Sequence, residues 1–310
     1  MKNTPADFYS SKNIITIFCI VVLYLLVSFF LIGFKTNQLV LSGVFCVAWF
    51  STSISRKFIT GFSVFIVYWI MFDYMKAFPN YEYHQVRILQ LHQTELLLFG
   101  IHQNTNLITP NEYWLKHTNT FLDIMSGIFY LCWIPVPLAF ATYLFFKDKK
   151  MFLHFSLTFM LVNMIGFIIY YVYPAAPPWY FQKFGVVFHA DTPGNSAGLQ
   201  KFDTYFNAGI FNSIYAKSSN VFAAIPSLHS SYPPIVLYYG IQKKMGWVNI
   251  VFAFVMIGIW FAAVYTSHHY VIDVLAGIAC AIIGIIIFKK GLMQTTGFKK
   301  FLQFYLSKIS

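Results

Sequence analysis

Long apolar runs separated by short polar breaks set the pattern of this chain. A helix needs about 20 apolar residues to cross the hydrocarbon core of a bilayer. Eight runs approach or reach that length, at 14–34, 39–55, 58–75, 121–146, 151–173, 226–241, 247–265 and 268–288. The second, third and sixth are short or interrupted, and the first two of these could be re-entrant or interfacial. The pattern predicts an all-α polytopic membrane helix bundle of about eight transmembrane helices. Two long connections, 76–120 and 174–221, separate the runs. Loops of that length are where chemistry concentrates.

Composition narrows the class. Hydrophobic residues make up 58% of the 310 and charged residues 10%, where a soluble domain carries about 25% charge. Neither a soluble globular domain nor a disordered chain has this make-up. The formal net charge is +11. In a membrane protein such an excess marks loops held at an anionic cytoplasmic face, so no nucleic-acid partner is expected. With the N-terminus inside, the inner loops hold Arg56 and Lys57, then Lys147, Lys149 and Lys150, then Lys243 and Lys244. The C-terminal tail adds Lys289, Lys290, Lys299, Lys300 and Lys308, while the short outer connections hold Lys35 and no base near Thr266. This asymmetry puts both termini in the cytoplasm and both long loops outside. The first run is long enough to remain as an anchor. Cys19, Cys46, Cys132 and Cys280 sit in apolar runs without CxxC spacing, which reads as buried thiols rather than a zinc site or disulfides. No Asn-x-Ser/Thr sequon occurs, and no internal repeat supports a repeat-built transporter.

Three segments carry candidate chemistry. The first, Tyr173-Pro174-Ala175-Ala176-Pro177-Pro178-Trp179-Tyr180, ends the fifth run with prolines that stop a helix. Alone it reads as a capped helix end with aromatics at headgroup level. In the second, Pro226-Ser227-Leu228-His229-Ser230, Pro226 suits the first turn of a helix. Free amides near Ser227 to His229 would then form an anion site. In the third, Ser267-His268-His269-Tyr270-Val271-Ile272-Asp273, His269 and Asp273 are four apart and would share a helical face. An acid in an apolar helix is costly unless paired, and the His269 imidazole is the simplest partner. A carboxylate on one ring nitrogen makes the other a better nucleophile or base. Together the segments suggest two helix N-termini converging on an anion, with one imidazole to attack and another to protonate a leaving group. No acidic cluster suggests a metal, and no glycine-rich phosphate loop is present. The implied chemistry is metal-free phosphoryl transfer through a phosphohistidine, without a cofactor.

The ordered trio resembles the type-2 phosphatidic acid phosphatase (PAP2) superfamily. It is most similar to the inositol phosphorylceramide synthase, or aureobasidin-resistance, branch. The likeness covers roughly 151–288, with a weaker stretch at 95–100 (ELLLFG). It implies that His269 is the nucleophile, that Asp273 orients it, and that His229 is general acid and then base. It also implies a PAP2-like six-helix core preceded by two added spans. On that basis 1–57 is an N-terminal extension, 58–290 the catalytic core and 291–310 a cytoplasmic tail. Tyr173, Pro177, Trp179, Ser227, Leu228 and His268 are candidate substrate-binding positions, His268 in a supporting role. The parent phosphatases carry basic residues in their first motif and before the nucleophile. Here the first motif has none and the last position is Ala263. The phosphate clamp is then open among Arg87, Lys183, Lys201, Lys217 and the helix ends.

The expected activity is a headgroup transferase, moving phosphoinositol from phosphatidylinositol to ceramide or dihydroceramide. The lipid bilayer and these two lipids are its partners, and no protein partner is inferable. A PAP2-type lipid phosphatase would use the same residues with water as acceptor. A channel with a pH-sensing histidine pair and a scaffold with a decayed site are further readings. The expected location is a bacterial inner membrane with a periplasmic site, or a Golgi lumenal site in a eukaryote. His84, His92, His102 and His117 read as surface histidines. Asp73 and Asp123 either bind sugar hydroxyls or cap helices.

Overall fold

The computed structural model describes residues 9–217 and 220–310. Two compact units divide it. The first holds residues up to Phe78 together with Lys300–Ser310. It contains α1 (Ser11–Ile32), α2 (Thr36–Ser51) and α3 (Ser53–Tyr74). The Ser28 and Tyr74 hydroxyls share a hydrogen bond at 2.8 Å. Asp73 is taken by Lys76 at 2.9 Å and Lys35 at 3.8 Å, so it acts as an ion-pair partner.

The second unit spans Pro79–Lys299. The first long connection is ordered into α4 (Leu89–Phe99), a hairpin of β1 (Ile101–Gln103) and β2 (Asn106–Ile108), and α5 (Pro110–Lys116). Thr109 starts α5 through a capping box with Glu112. Next come α6 (Thr120–Leu131), α7 (Pro135–Lys147) and α8 (Lys149–Val172). The second long connection carries the short helices α9 (Pro178–Phe184), α10 (Gln200–Tyr205) and α11 (Ile210–Tyr215). The unit closes with α12 (Leu228–Gln242), α13 (Val248–Tyr265) and α14 (Val271–Ile286). The last helix, α15 (Thr296–Ile309), runs on into the first unit.

Among the described residues, six helices are long and apolar enough to cross a membrane: Ser11–Ile32, Ser53–Ala77, Thr120–Lys147, Lys149–Val172, Val248–Tyr265 and Val271–Gln294. The protein is therefore a multi-pass, all-α membrane bundle. Two of the eight expected spans fall short, α2 at 16 residues and α12 at 15. The third run, read as weak from sequence, is a full-length helix, because Ser53–Lys57 extend it backwards under a Thr52 cap.

Prolines shape the elements around the site. Pro135 opens α7, and the chain turns between Cys132 and Ile134, bending the fourth span beside Tyr130 and Trp133. Pro234 lies inside α12 and has no amide for the Ser230 carbonyl four residues back. The Trp260 indole N–H on α13 donates to that carbonyl instead, at 3.0 Å. What would be an orphan acceptor thus becomes a tie between helices.

The core forms where α12 packs on α8, α13 and α14. The Tyr232 hydroxyl donates to Asn163 Oδ1 at 2.7 Å. Gly277 lets α14 reach the start of α12, since a Cβ there would fall onto the Ser227 carbonyl. Across this contact Ser231 Oγ donates to the Gly277 carbonyl at 2.7 Å, and the Ser227 amide to the Asp273 carbonyl at 2.9 Å.

Candidate active site

Ser227 caps α12 and accepts the Ser230 amide, which leaves Pro226 outside the helix and His229 in its first turn. The third motif folds differently from a simple helix start. Ser267 takes φ +59°, and the amides of His268 and His269 both donate to the Ala263 carbonyl. Tyr270 is the N-cap of α14. His268 and His269 therefore lie in a turn before the helix, not on the helical face expected of them. Asp273 alone of this set is helical.

The three motifs meet through backbone. The Arg87 amide donates to the Pro174 carbonyl and the Ala176 amide to the Arg87 carbonyl. The Ala175 amide donates to the Phe222 carbonyl, and the Ala224 amide to the Ala175 carbonyl. Arg87, Ala175 and Ala223 thus form a short parallel ladder. Its last rung presents the Ala224 carbonyl to His269 Nδ1 at 3.0 Å. Asp273 Oδ2 lies farther from the same nitrogen, at 3.6 Å, and accepts the Tyr270 amide at 2.8 Å. The Asn111 side chain, fully buried, donates to the Val264 and His269 carbonyls at 2.8 and 2.9 Å.

This geometry assigns the protons. A carbonyl only accepts, so the neutral His269 imidazole carries its hydrogen on Nδ1 and its lone pair on Nε2. His229 Nδ1 faces that lone pair at 3.2 Å and must donate to it. In this arrangement His269 Nε2 carries no proton and His229 Nδ1 carries one. The Tyr130 hydroxyl also lies 3.2 Å from His229 Nδ1. Trp133 sets its ring edge-on to the same imidazole, with centroids 4.4 Å apart. Trp133 also lines a narrow apolar crevice with Val136, Val236, Phe252 and Ile259.

The two helix ends are not equivalent. At α14 the Val271 and Ile272 amides donate to the carboxylate of Glu95, at 2.9 and 3.2 Å. That end is filled, and the expected second anion site is absent. The start of α12, at Leu228 and His229, is the end that remains for a phosphate.

Other candidates fall as follows. Trp179 and Pro177 are buried, and the Trp179 amide donates to the Ser267 carbonyl at 3.0 Å, so this motif is a packing layer under the turn that bears His269. Tyr173 stays partly exposed, with the Arg87 guanidinium 5.7 Å over its ring. His268 is buried, its Nδ1 bonded to Thr266 Oγ1 at 2.9 Å, with Tyr215 stacked at 4.5 Å. Lys201 lies 3.8 Å from Asp123, which also takes the Tyr265 hydroxyl. His92 corrects the surface reading. It is buried, stacks on Phe181 at 3.8 Å and meets Glu112 at 3.2 Å. Burial would raise Glu112, but the His92 bond and the Thr109 amide outweigh it and hold the carboxyl below its usual range. Glu95, Asn111, Tyr130 and the Ala224 carbonyl were not assigned roles from sequence. An acid inside the apolar ELLLFG stretch was the available signal for Glu95.

The chain belongs to the PAP2 superfamily, whose sequence pattern matches residues 100–287. It is 42% identical over 302 residues to a phosphoinositol dihydroceramide synthase of Bacteroides thetaiotaomicron, covering 97% of this chain and 99% of that one. It is 27% identical over 219 residues to the inositol phosphorylceramide synthase catalytic subunit of Saccharomyces cerevisiae, covering 68% of this chain and 52% of the relative. A Schizosaccharomyces pombe counterpart is 25% identical over 227 residues, with 71% and 51% covered. This chain spans about half the length of these two yeast relatives. No solved structure matches.

Proposed function

We propose that this protein transfers phosphoinositol from phosphatidylinositol to ceramide or dihydroceramide through a phosphohistidine on His269. The observation that carries the chemistry is the facing pair, His229 Nδ1 at 3.2 Å from His269 Nε2, with His269 Nδ1 held by a carbonyl. The near full-length likeness to a phosphoinositol dihydroceramide synthase supports the substrates. The phosphodiester anion binds at the Leu228 and His229 amides and favours the imidazolium form of His229. Arg87 and Tyr173 face the headgroup. Pro177, Trp179, Ser227 and His268 hold the surrounding walls.

In the first step His269 Nε2 attacks phosphorus and the bond to the diacylglycerol oxygen breaks. His229 gives that oxygen its proton, and phosphoinositol stays on His269. The neutral His229 then removes the proton of the ceramide primary hydroxyl. The resulting oxygen attacks phosphorus, and the P–N bond breaks. Two in-line displacements give retention at phosphorus. The two imidazoles supply all the proton transfers, so no metal is required. The site faces the periplasm of a bacterial inner membrane, with both termini in the cytoplasm.

The test is a reconstituted assay with labelled phosphatidylinositol, with and without ceramides of long and short chain, in chelator. Ceramide-dependent transfer is expected of the wild type, and His269→Ala should lose about 10³-fold or more. Hydrolysis indifferent to ceramide would move the assignment to the phosphatase reading.

A further inference from the structure

Glu95 lies outside all three motifs, on α4, and is fully buried. One carboxylate oxygen takes the Val271 amide and the other the Ile272 amide. Asp273 takes the Tyr270 amide. The amides that open α14 are therefore shared between two acids, two to Glu95 and one to Asp273. Asp273, at the third position of α14, reaches back to the N-cap amide of Tyr270 as a capping-box acid does. Glu95 takes the next two amides, Val271 and Ile272, and so fixes the first turn that carries Asp273 3.6 Å from His269 Nδ1. The same contact closes this helix end to a substrate phosphate, which then has only the α12 amides.

We infer that Glu95 is a positioning residue of the transfer reaction. By holding the Val271 and Ile272 amides it keeps Asp273 beside His269 and confines the phosphate to the start of α12. The inference rests on the proposed role of His269.

The charged and titratable groups around Glu95 come from several elements: His92 on α4, Glu112 on α5, and His269, Tyr270 and Asp273 at the start of α14. Burial pushes the Glu95 carboxyl up to about 7, and the Asp273 charge adds to this, while the two amides and His92 pull it back. The ionised form accepts both amides. A proton on one oxygen releases one of them, so the rate falls as pH drops through about 7.

The experiment uses the full chain in lipid nanodiscs. It measures kcat and donor KM across the neutral range for wild type, Glu95→Gln and Glu95→Asp, with His269→Ala alongside. Glu95→Gln keeps the shape but accepts only one amide at any pH. Its kcat should fall about tenfold to a hundredfold, as for a displaced catalytic group, while donor KM moves less than about twofold. Its acid limb should move below that of the wild type. Glu95→Asp, which still ionises but reaches less far, should keep the limb at a reduced rate. An unchanged acid limb in Glu95→Gln, or a loss carried in KM, would overturn the inference. Turnover surviving in His269→Ala would instead overturn the nucleophile assignment, so the two failures are read from different proteins.

Discussion

Ala224 contributes nothing but a carbonyl to the site, and that carbonyl decides which nitrogen of His269 is free. The turn bearing His269 is in turn held by Asn111, whose amide group bridges the Val264 and His269 carbonyls. An acceptor buried without its donor costs about 1–3 kcal/mol. Asn111→Leu strands two of them in place of one side chain. It should lower both the melting temperature and kcat, read by thermal shift and by the transfer assay, while donor KM is little changed. Glu95 behaves unlike an ordinary surface acid. Its folded value is raised, from 4.5 to about 7, so the stability it favours is fully present below 4.5 and is lost as pH rises through about 7. Its contribution to the rate runs the other way, since the ionised form grips the helix. One residue thus sets stability and turnover against each other across the same pH window.

At the scale of elements, the contact of α12 with α14 is set by one missing side chain. Gly277→Ala would press a methyl group onto the Ser227 carbonyl and push the start of α12 away. A shift near 1 Å at a catalytic group costs about 10²-fold. The expected outcome is a folded protein by gel filtration with transfer reduced by that order. The sequence pattern located the helices well because apolar runs of spanning length have few alternative folds. His229, His269 and Asp273, conspicuous as histidines and an acid against an apolar background, are brought together in the structure. The start of α14 was misread because Ser267 takes a left-handed conformation and Tyr270 caps the helix, and neither has a strong local signature. Glu95, Asn111 and Ala224 escaped for another reason. Their roles arise from pairings across 176, 158 and 45 residues of chain, which no local pattern encodes.

At the scale of the whole molecule, the distribution of Lys and Arg is what supports the proposed orientation. The bases of 147–150, 243–244 and 289–290 cluster at one end of the spans, and the site-bearing connections lie at the other. Single cysteines placed at Asp191 and at Lys299, in a cysteine-free background, test this. A membrane-impermeant maleimide added to intact cells should label the first and spare the second, and the reverse would invert the proposed topology.

The ladder joining Arg87, Ala175 and Ala223 has a consequence for biosynthesis. Its strands leave the ribosome far apart in time, and His269 follows the last of them by about forty-five residues. A nascent chain therefore passes through most of its insertion without a working centre, and the surrounding lipids are spared an unpartnered, half-made enzyme. Chains that terminate early, from a stop codon or stalled synthesis, are inert for the same reason. Activity waits until Val271–Ile286, which carries Asp273, has entered the bilayer and the separate segments have closed on one another.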